Sequence, residues 1–154
     1  MCAAGRVHGR SILEHVATVW LSANDVPAVL GACRALRRIA RHHTHLEFFP
    51  TATDTVVRDA LQQFPKLSVV SMRGCREVTR VREWPASLTK VDLEGCERLH
   101  DSAVVALAQC GGGSLTDINL KGCARLTDGA VVALTDSCPR LSSVDLSCTP
   151  KVTN

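Results

Sequence analysis

Four stretches of the chain share one apolar pattern: LSVVSMRGC at 67–75, LTKVDLEGC at 88–96, LTDINLKGC at 115–123 and LSSVDLSCT at 141–149. A leucine opens each, Val or Ile stands three residues later, and Leu or Met two residues after that. Alternation of this kind predicts a short strand, its apolar side chains on one face and the intervening ones on the other. The leading leucines lie 21, 27 and 26 residues apart, so the chain crosses back after each strand and a parallel sheet is expected. A fainter copy, RHHTHLEFF at 41–49, places Thr44, Leu46 and Phe49 at the corresponding apolar sites, which makes about five strands.

Between strands the period changes to that of a helix. DLEGCERLHDSAVVAL at 92–107 returns as NLKGCARLTDGAVVAL at 119–134, with 11 of 16 positions identical. In both copies an Asp, 101 or 128, is placed as an N-cap ahead of AVVAL, and GGG or Pro139 stops the run. DTVVRDALQQF at 54–64 predicts a third helix, ended by Pro65. Residues 76–87, REVTRVREWPAS, are too short and too proline-interrupted for a full helix. An extended or single-turn crossing is expected there, with Trp84 covering the core.

The unit LxxVDLxGCxxLxDxAVxAL resembles the cysteine-containing class of leucine-rich repeats, common in F-box proteins, and its spacing lies within the roughly 20–29-residue period of such repeats. The resemblance spans residues 41–154 and implies a short α/β horseshoe, with about five parallel strands on the concave side and helices on the convex side. Upstream, LEHVATVWLSANDVPAVLGACRALRRIARHHTHL at 13–46 is similar to an F-box: an apolar helix, a Ser-x-x-Asp turn, then a helix ending RRIA. The usual Leu-Pro opening is missing and Leu36 sits where Trp is common, so a helical cap closing the repeat array is the alternative. The expected organisation is a flexible N-terminus at 1–11, a helical F-box-like or capping segment at 12–40, and repeats at 41–154. The last repeat is incomplete, because Lys151-Val152-Thr153-Asn154 aligns with Arg125-Leu126-Thr127-Asp128. That implies either a longer parent protein or a subunit covering the open turn.

Composition narrows the class. With 154 residues, 45% hydrophobic and 21% charged, the chain suits one soluble domain with a real core, and no apolar run reaches the roughly 18 residues of a membrane span. Net charge is +3 but uneven: residues 1–46 hold six Arg and two acids, residues 47–154 twelve basic and thirteen acidic residues. Arg34, Arg37, Arg38 and Arg41 could face phosphates, yet aromatics are 3% with no Tyr, so base-stacking platforms are scarce and nucleic-acid binding is not expected. Arg6, His8 and Arg10 give the N-terminus mild presequence character without a Ser-rich amphipathic stretch. A cytoplasmic protein is expected, with mitochondrial import the alternative.

Eight cysteines raise the question of thiol chemistry, but no CxxC pair occurs to begin a zinc cage. Cys75, Cys96 and Cys123 follow the repeat period and should stack as small buried residues marking its register. The corresponding position in the last copy is Thr149, which can hydrogen-bond but cannot supply a thiolate. Alternation on a strand puts His43 and His45 on one face and His42 on the other, too few for a local metal site. GGGS at 111–114 follows a helix, the reverse of a phosphate-cradling loop. With no GxSxG and no positioned nucleophile–base pair, neither enzyme, cofactor nor metal is expected.

What remains is the polar face of the sheet. Alternation gives three rows: His43, Val69, Lys90, Asp117, Ser143; then His45, Ser71, Asp92, Asn119, Asp145; then Glu47, Arg73, Glu94, Lys121, Ser147. The third alternates in sign and should pair along itself. The middle row reads as acidic and unpaired, and Lys90, Asp92, Asp117, Asn119 and Asp145 are the expected partner contacts. The F-box resemblance implies a substrate-recognition adaptor of a cullin-RING ubiquitin ligase, whose adaptor protein would meet Val16, Val19, Leu21, Val26 and Leu30. The alternative is a scaffold subunit of a large mitochondrial, ribosomal or cytoskeletal assembly.

Overall fold

The structure, a computed structural model, describes residues 44–153. The expectations for the N-terminus at 1–11, the helical segment at 12–40, the docking residues Val16, Val19, Leu21, Val26 and Leu30, and His42 and His43 lie outside the described residues.

Leu46, Val70, Val91, Ile118 and Val144 are the midpoints of five three-residue strands: β1 His45–Glu47, β2 Val69–Ser71, β3 Lys90–Asp92, β4 Asp117–Asn119 and β5 Ser143–Asp145. They form one parallel sheet in sequential order, β1-β2-β3-β4-β5. The first four midpoints are buried, whereas Val144 on β5 is 43% exposed. Leu67, Leu88 and Leu115 before the strands, and Met72, Leu93 and Leu120 after them, are fully buried. Each buried leucine contributes about 1.5–3 kcal/mol over an exposed one.

A hydroxyl ladder reinforces the strand entries. The residue after each leading leucine is Ser or Thr, and its side chain donates to the preceding strand's entry carbonyl: Ser68 to Thr44 at 3.1 Å, Thr89 to Ser68, Thr116 to Thr89 and Ser142 to Thr116, each at 3.0 Å. The same carbonyls also accept two backbone amides, as Thr44 O does from Ser68 at 2.8 Å and Val69 at 2.9 Å.

After each strand the chain turns through a left-handed residue. Gly74, Gly95 and Gly122 have φ of +69°, +72° and +72°, values that cost a residue with a Cβ about 1–2 kcal/mol. At the same place in the last unit Cys148 adopts φ 59°. A Cβ on Gly122 would also sit 3.7 Å from the Gly95 Cα, so the turns stack backbone on backbone.

Three helices return the chain: α1 Asp54–Gln63, α2 Asp101–Gly111 and α3 Asp128–Ser137. α1 stops at Phe64 before Pro65, as expected. Residues 76–87 contain no helix; they run with Val78, Val81 and Trp84 buried, and the indole Nε1 donates to Ala103 O at 3.1 Å. The glycine run at 111–113 does more than stop α2. A Cβ on Gly112 would lie 2.2 Å from Ala108 O and 2.3 Å from Ser137 O, so only glycine lets the ends of α2 and α3 meet.

Two expectations for these elements are corrected. The N-caps are His100 and Thr127, not Asp101 and Asp128, which are the first helical residues. In the first unit Phe48, not Phe49, enters the core, since Phe49 is 42% exposed; Thr44 is likewise exposed. The apolar positions of that unit are offset by two residues, with Leu46 beside Val70 and Phe48 N bonded to Ser71 O at 2.8 Å.

Candidate interaction surface

With strand midpoints facing the core, the residues on either side of each midpoint face away from it. The observed rows are His45, Val69, Lys90, Asp117, Ser143 and Glu47, Ser71, Asp92, Asn119, Asp145. The β1 register therefore corrects the expected one by two residues: His45 stands beside Val69 and Glu47 beside Ser71. The cause is the same irregular first unit, in which Leu46 rather than a preceding residue aligns with Val70.

Along the third row Arg73 Nη2 is 2.6 Å from Glu94 Oε2, and Lys121 Nζ is 3.5 Å from Glu94 Oε1. Glu94 thus sits between two cations, while Glu47 belongs to the middle row and not to this ladder. Lys90 Nζ lies 3.7 Å from Asp117 Oδ2. Such exposed pairs contribute about 0–1 kcal/mol each, so they orient side chains more than they hold the fold.

The middle row is not the unpaired acidic row that alternation suggested. Asp92 Oδ1 accepts from the Glu94 amide at 3.1 Å, Asn119 Oδ1 from the Lys121 amide at 3.0 Å, and Asp145 Oδ1 from the Ser147 amide at 2.8 Å. These bonds close the turn after each strand, which is why short acids and amides stand there. Asp92 also lies 3.7 Å from Arg73 Nε, and Asn119 Nδ2 donates to Glu94 Oε2 at 3.3 Å. Ser147, through its side chain and then its amide, holds the Asp145 carboxyl below its ordinary range, with Lys121 adding to the effect. Five carboxylates, Glu47, Asp92, Glu94, Asp117 and Asp145, share this face with three cations, Arg73, Lys90 and Lys121, so it is acidic.

The cysteines behave as register marks. Cys75, Cys96 and Cys123 are fully buried and free, and each thiol donates to a carbonyl of the preceding unit: Phe49 O at 3.2 Å, Met72 O at 3.0 Å and Leu93 O at 3.1 Å. Burial pushes the Cys75 thiol up to about 11 and Cys123 to about 12. Cys96, buried between the other two, is raised further still. They are protonated at neutral pH and poor nucleophiles or ligands. Thr149 does not take over this bond, because its hydroxyl turns to Leu146 O within its own turn. Among the described residues no group of three His, Cys, Asp or Glu is placed to hold a metal ion, and no helix is long and apolar enough to cross a membrane.

Sequence reasoning missed the aspartates' second role. Asp54 accepts from Thr79 N at 2.7 Å and Thr79 Oγ1 at 2.6 Å; Asp128 accepts from Thr153 N at 2.7 Å and Thr153 Oγ1 at 2.6 Å. Asp101 does the same with Thr127. The recurring Thr-Asp dipeptides at 53–54 and 127–128 were the available signal.

No protein-family profile matches the sequence, and no curated protein matches it. Among solved structures the chain is similar to one in the crystal structure of the Rad7 and Elc1 complex of yeast, at 24% identity and a TM-score of 0.54. The match covers 70% of this chain and 30% of that one, and the likeness is one of fold.

Proposed function

We propose that the chain is a leucine-rich-repeat solenoid acting as a non-enzymatic protein-interaction module, with the polar face of its sheet as the contact surface. The observation that carries the reading is the acidic row of Asp92, Asn119 and Asp145, each fixed by the turn amide two residues on. Preset acceptors on a rigid sheet lower the ordering cost of binding, and an acidic rim selects basic or donor-rich partners. Lys90 and Asp117 flank the row and complete the contact. The similar yeast chain was crystallised with another protein, which agrees with a role in protein assembly.

Within this reading the chain serves as an F-box-like substrate-recognition adaptor of a cullin-RING ubiquitin ligase. Residues 12–40 dock through Val16, Val19, Leu21, Val26 and Leu30, and the repeats present the substrate. A second reading, a scaffold subunit of a larger assembly, has its own observation: Val144, the midpoint of β5, is 43% exposed where the other strand midpoints are buried, an apolar site that a neighbouring subunit would cover. Affinity capture with the full chain separates the two. Recovery of a cullin and its adaptor, lost on Val26→Asp or Leu30→Asp, supports the ligase. A stoichiometric complex containing neither overturns it in favour of the scaffold.

A further inference from the structure

Three of the four junctions between successive units are closed by one carboxylate reaching the next unit's threonine: Asp54 to Thr79, Asp101 to Thr127 and Asp128 to Thr153. The junction between the second and third units has neither partner. Arg80 stands where the aspartate would be, and His100 where the threonine would be. In place of the clamp stands a backbone bond from His100 N to Thr79 O, 3.0 Å. Arg80, Arg82, His100 and Arg125 line a notch of ≈ 630 Å³ here, together with Asp101 and Thr127.

The cations of this notch are unlike their neighbours. Arg58, Arg73, Arg76 and Arg98 each sit within 4 Å of a carboxylate, Arg76 with Glu97 at 3.0 Å and Arg98 with Glu77 at 3.1 Å. Arg80, Arg82 and Arg125 form no ion pair with a described residue. Arg125 Nη1 instead donates to His100 Nε2 at 3.4 Å. Two carboxylates nearby are already engaged: Asp101 by the Thr127 amide at 2.8 Å and by its hydroxyl, and Asp54 by Thr79 and by the Arg80 amide at 3.1 Å. Three arginines thus line the notch where the fold's repeated design would have placed a carboxylate of its own.

We propose that this notch is an anion-binding site that takes a single phosphoryl group carried on a segment of a partner protein. Guanidinium groups match phosphate oxygens in a fork geometry, and several around one concavity favour a compact dianion. A long polyanion gains little here. Arg76 and Arg98 are paired with Glu97 and Glu77, residues 47–154 hold twelve basic and thirteen acidic residues, and the Asp101 carboxylate is part of the lining. The notch borders the N-terminus of α2 and not the sheet face, so the site stands apart from the interaction surface proposed above.

Guanidinium Nε–Hε resonances of the labelled full chain, titrated with orthophosphate against chloride at equal ionic strength, test the site. Shifts confined to Arg80, Arg82 and Arg125, with Arg58 and Arg140 unmoved, are expected. Arg80→Gln with Arg125→Gln should weaken the titration by about tenfold or more, at an unchanged melting temperature because both side chains are exposed. All arginines shifting alike, or a double variant that titrates as the native chain does, would overturn the site. For the ligand, phosphoserine peptides of degenerate sequence should bind more tightly than their serine counterparts, and through the same two arginines. Equal binding of both peptides, or stronger binding of single-stranded oligonucleotide or phosphatidylserine vesicles through those arginines, would overturn the phosphoprotein assignment. Asp92→Asn with Asp145→Asn should leave the orthophosphate titration unchanged, which separates failure of this site from failure of the sheet-face reading.

Discussion

The Asp101 carboxylate accepts a hydrogen bond from the Thr127 amide at 2.8 Å and a second from the Thr127 hydroxyl, across 26 residues of sequence. One residue thereby opens α2 and fixes the start of α3. Asp101→Ala should lower stability by about 1–2 kcal/mol, the scale of hydrogen bonds to a charged group discounted for exposure. Urea unfolding of Asp101→Ala, Thr127→Val and the double variant should give a coupling of about 0.5–1.5 kcal/mol. Additive single effects would show that the clamp carries no stability.

The same clamp makes stability pH-dependent at Asp128. Donation from the Thr153 hydroxyl and amide holds the Asp128 carboxyl below its usual range in the folded chain. A depressed folded value means the contribution is complete above the unfolded value of about 3.9 and disappears as pH falls through the folded one. The stability difference between the native chain and Asp128→Ala should therefore be constant near neutrality and shrink below about pH 4. A difference that grows on acidification would contradict the assignment.

Cys148 carries the left-handed conformation that glycine carries in the three preceding turns. Cys148→Gly should stabilise the chain by about 1 kcal/mol, and Gly122→Ala should destabilise it by about 1–2 kcal/mol. Thermal unfolding of the two variants gives the signs directly. Equal melting temperatures would mean the turn relaxes at no cost.

Most of the fold could be read from periodicity because a repeated unit states its rules several times. Leu67, Leu88 and Leu115 share a position, and so do Cys75, Cys96 and Cys123; all are buried as that sharing implies. The unit with the fewest matching residues is where register was misjudged: His45 and Glu47 slipped by two, and Phe48 replaced Phe49 in the core. On the polar face, alternation identified which residues share a row but not how they are engaged. Asp92 and Asn119 look free in a one-dimensional pattern because their partners are backbone amides two residues on, a local bond that side-chain spacing does not reveal. The Asp–Thr clamps were hidden for a related reason: an aspartate at a helix start reads as a cap, and only the stacking of units brings a second threonine within reach.

One substitution pair tests the polar sheet face as a partner-binding surface. Asp92→Asn with Asp145→Asn keeps an oxygen for the Glu94 and Ser147 amides, so the turns stay closed while both charges leave the row. Proteins retained by the immobilised full chain and quantified against this variant, with exposed Arg140→Gln as control, give the measurement. The prediction is loss of the retained partner from the double variant alone, at an unchanged melting temperature. Equal retention by the native chain and the double variant would contradict the central claim.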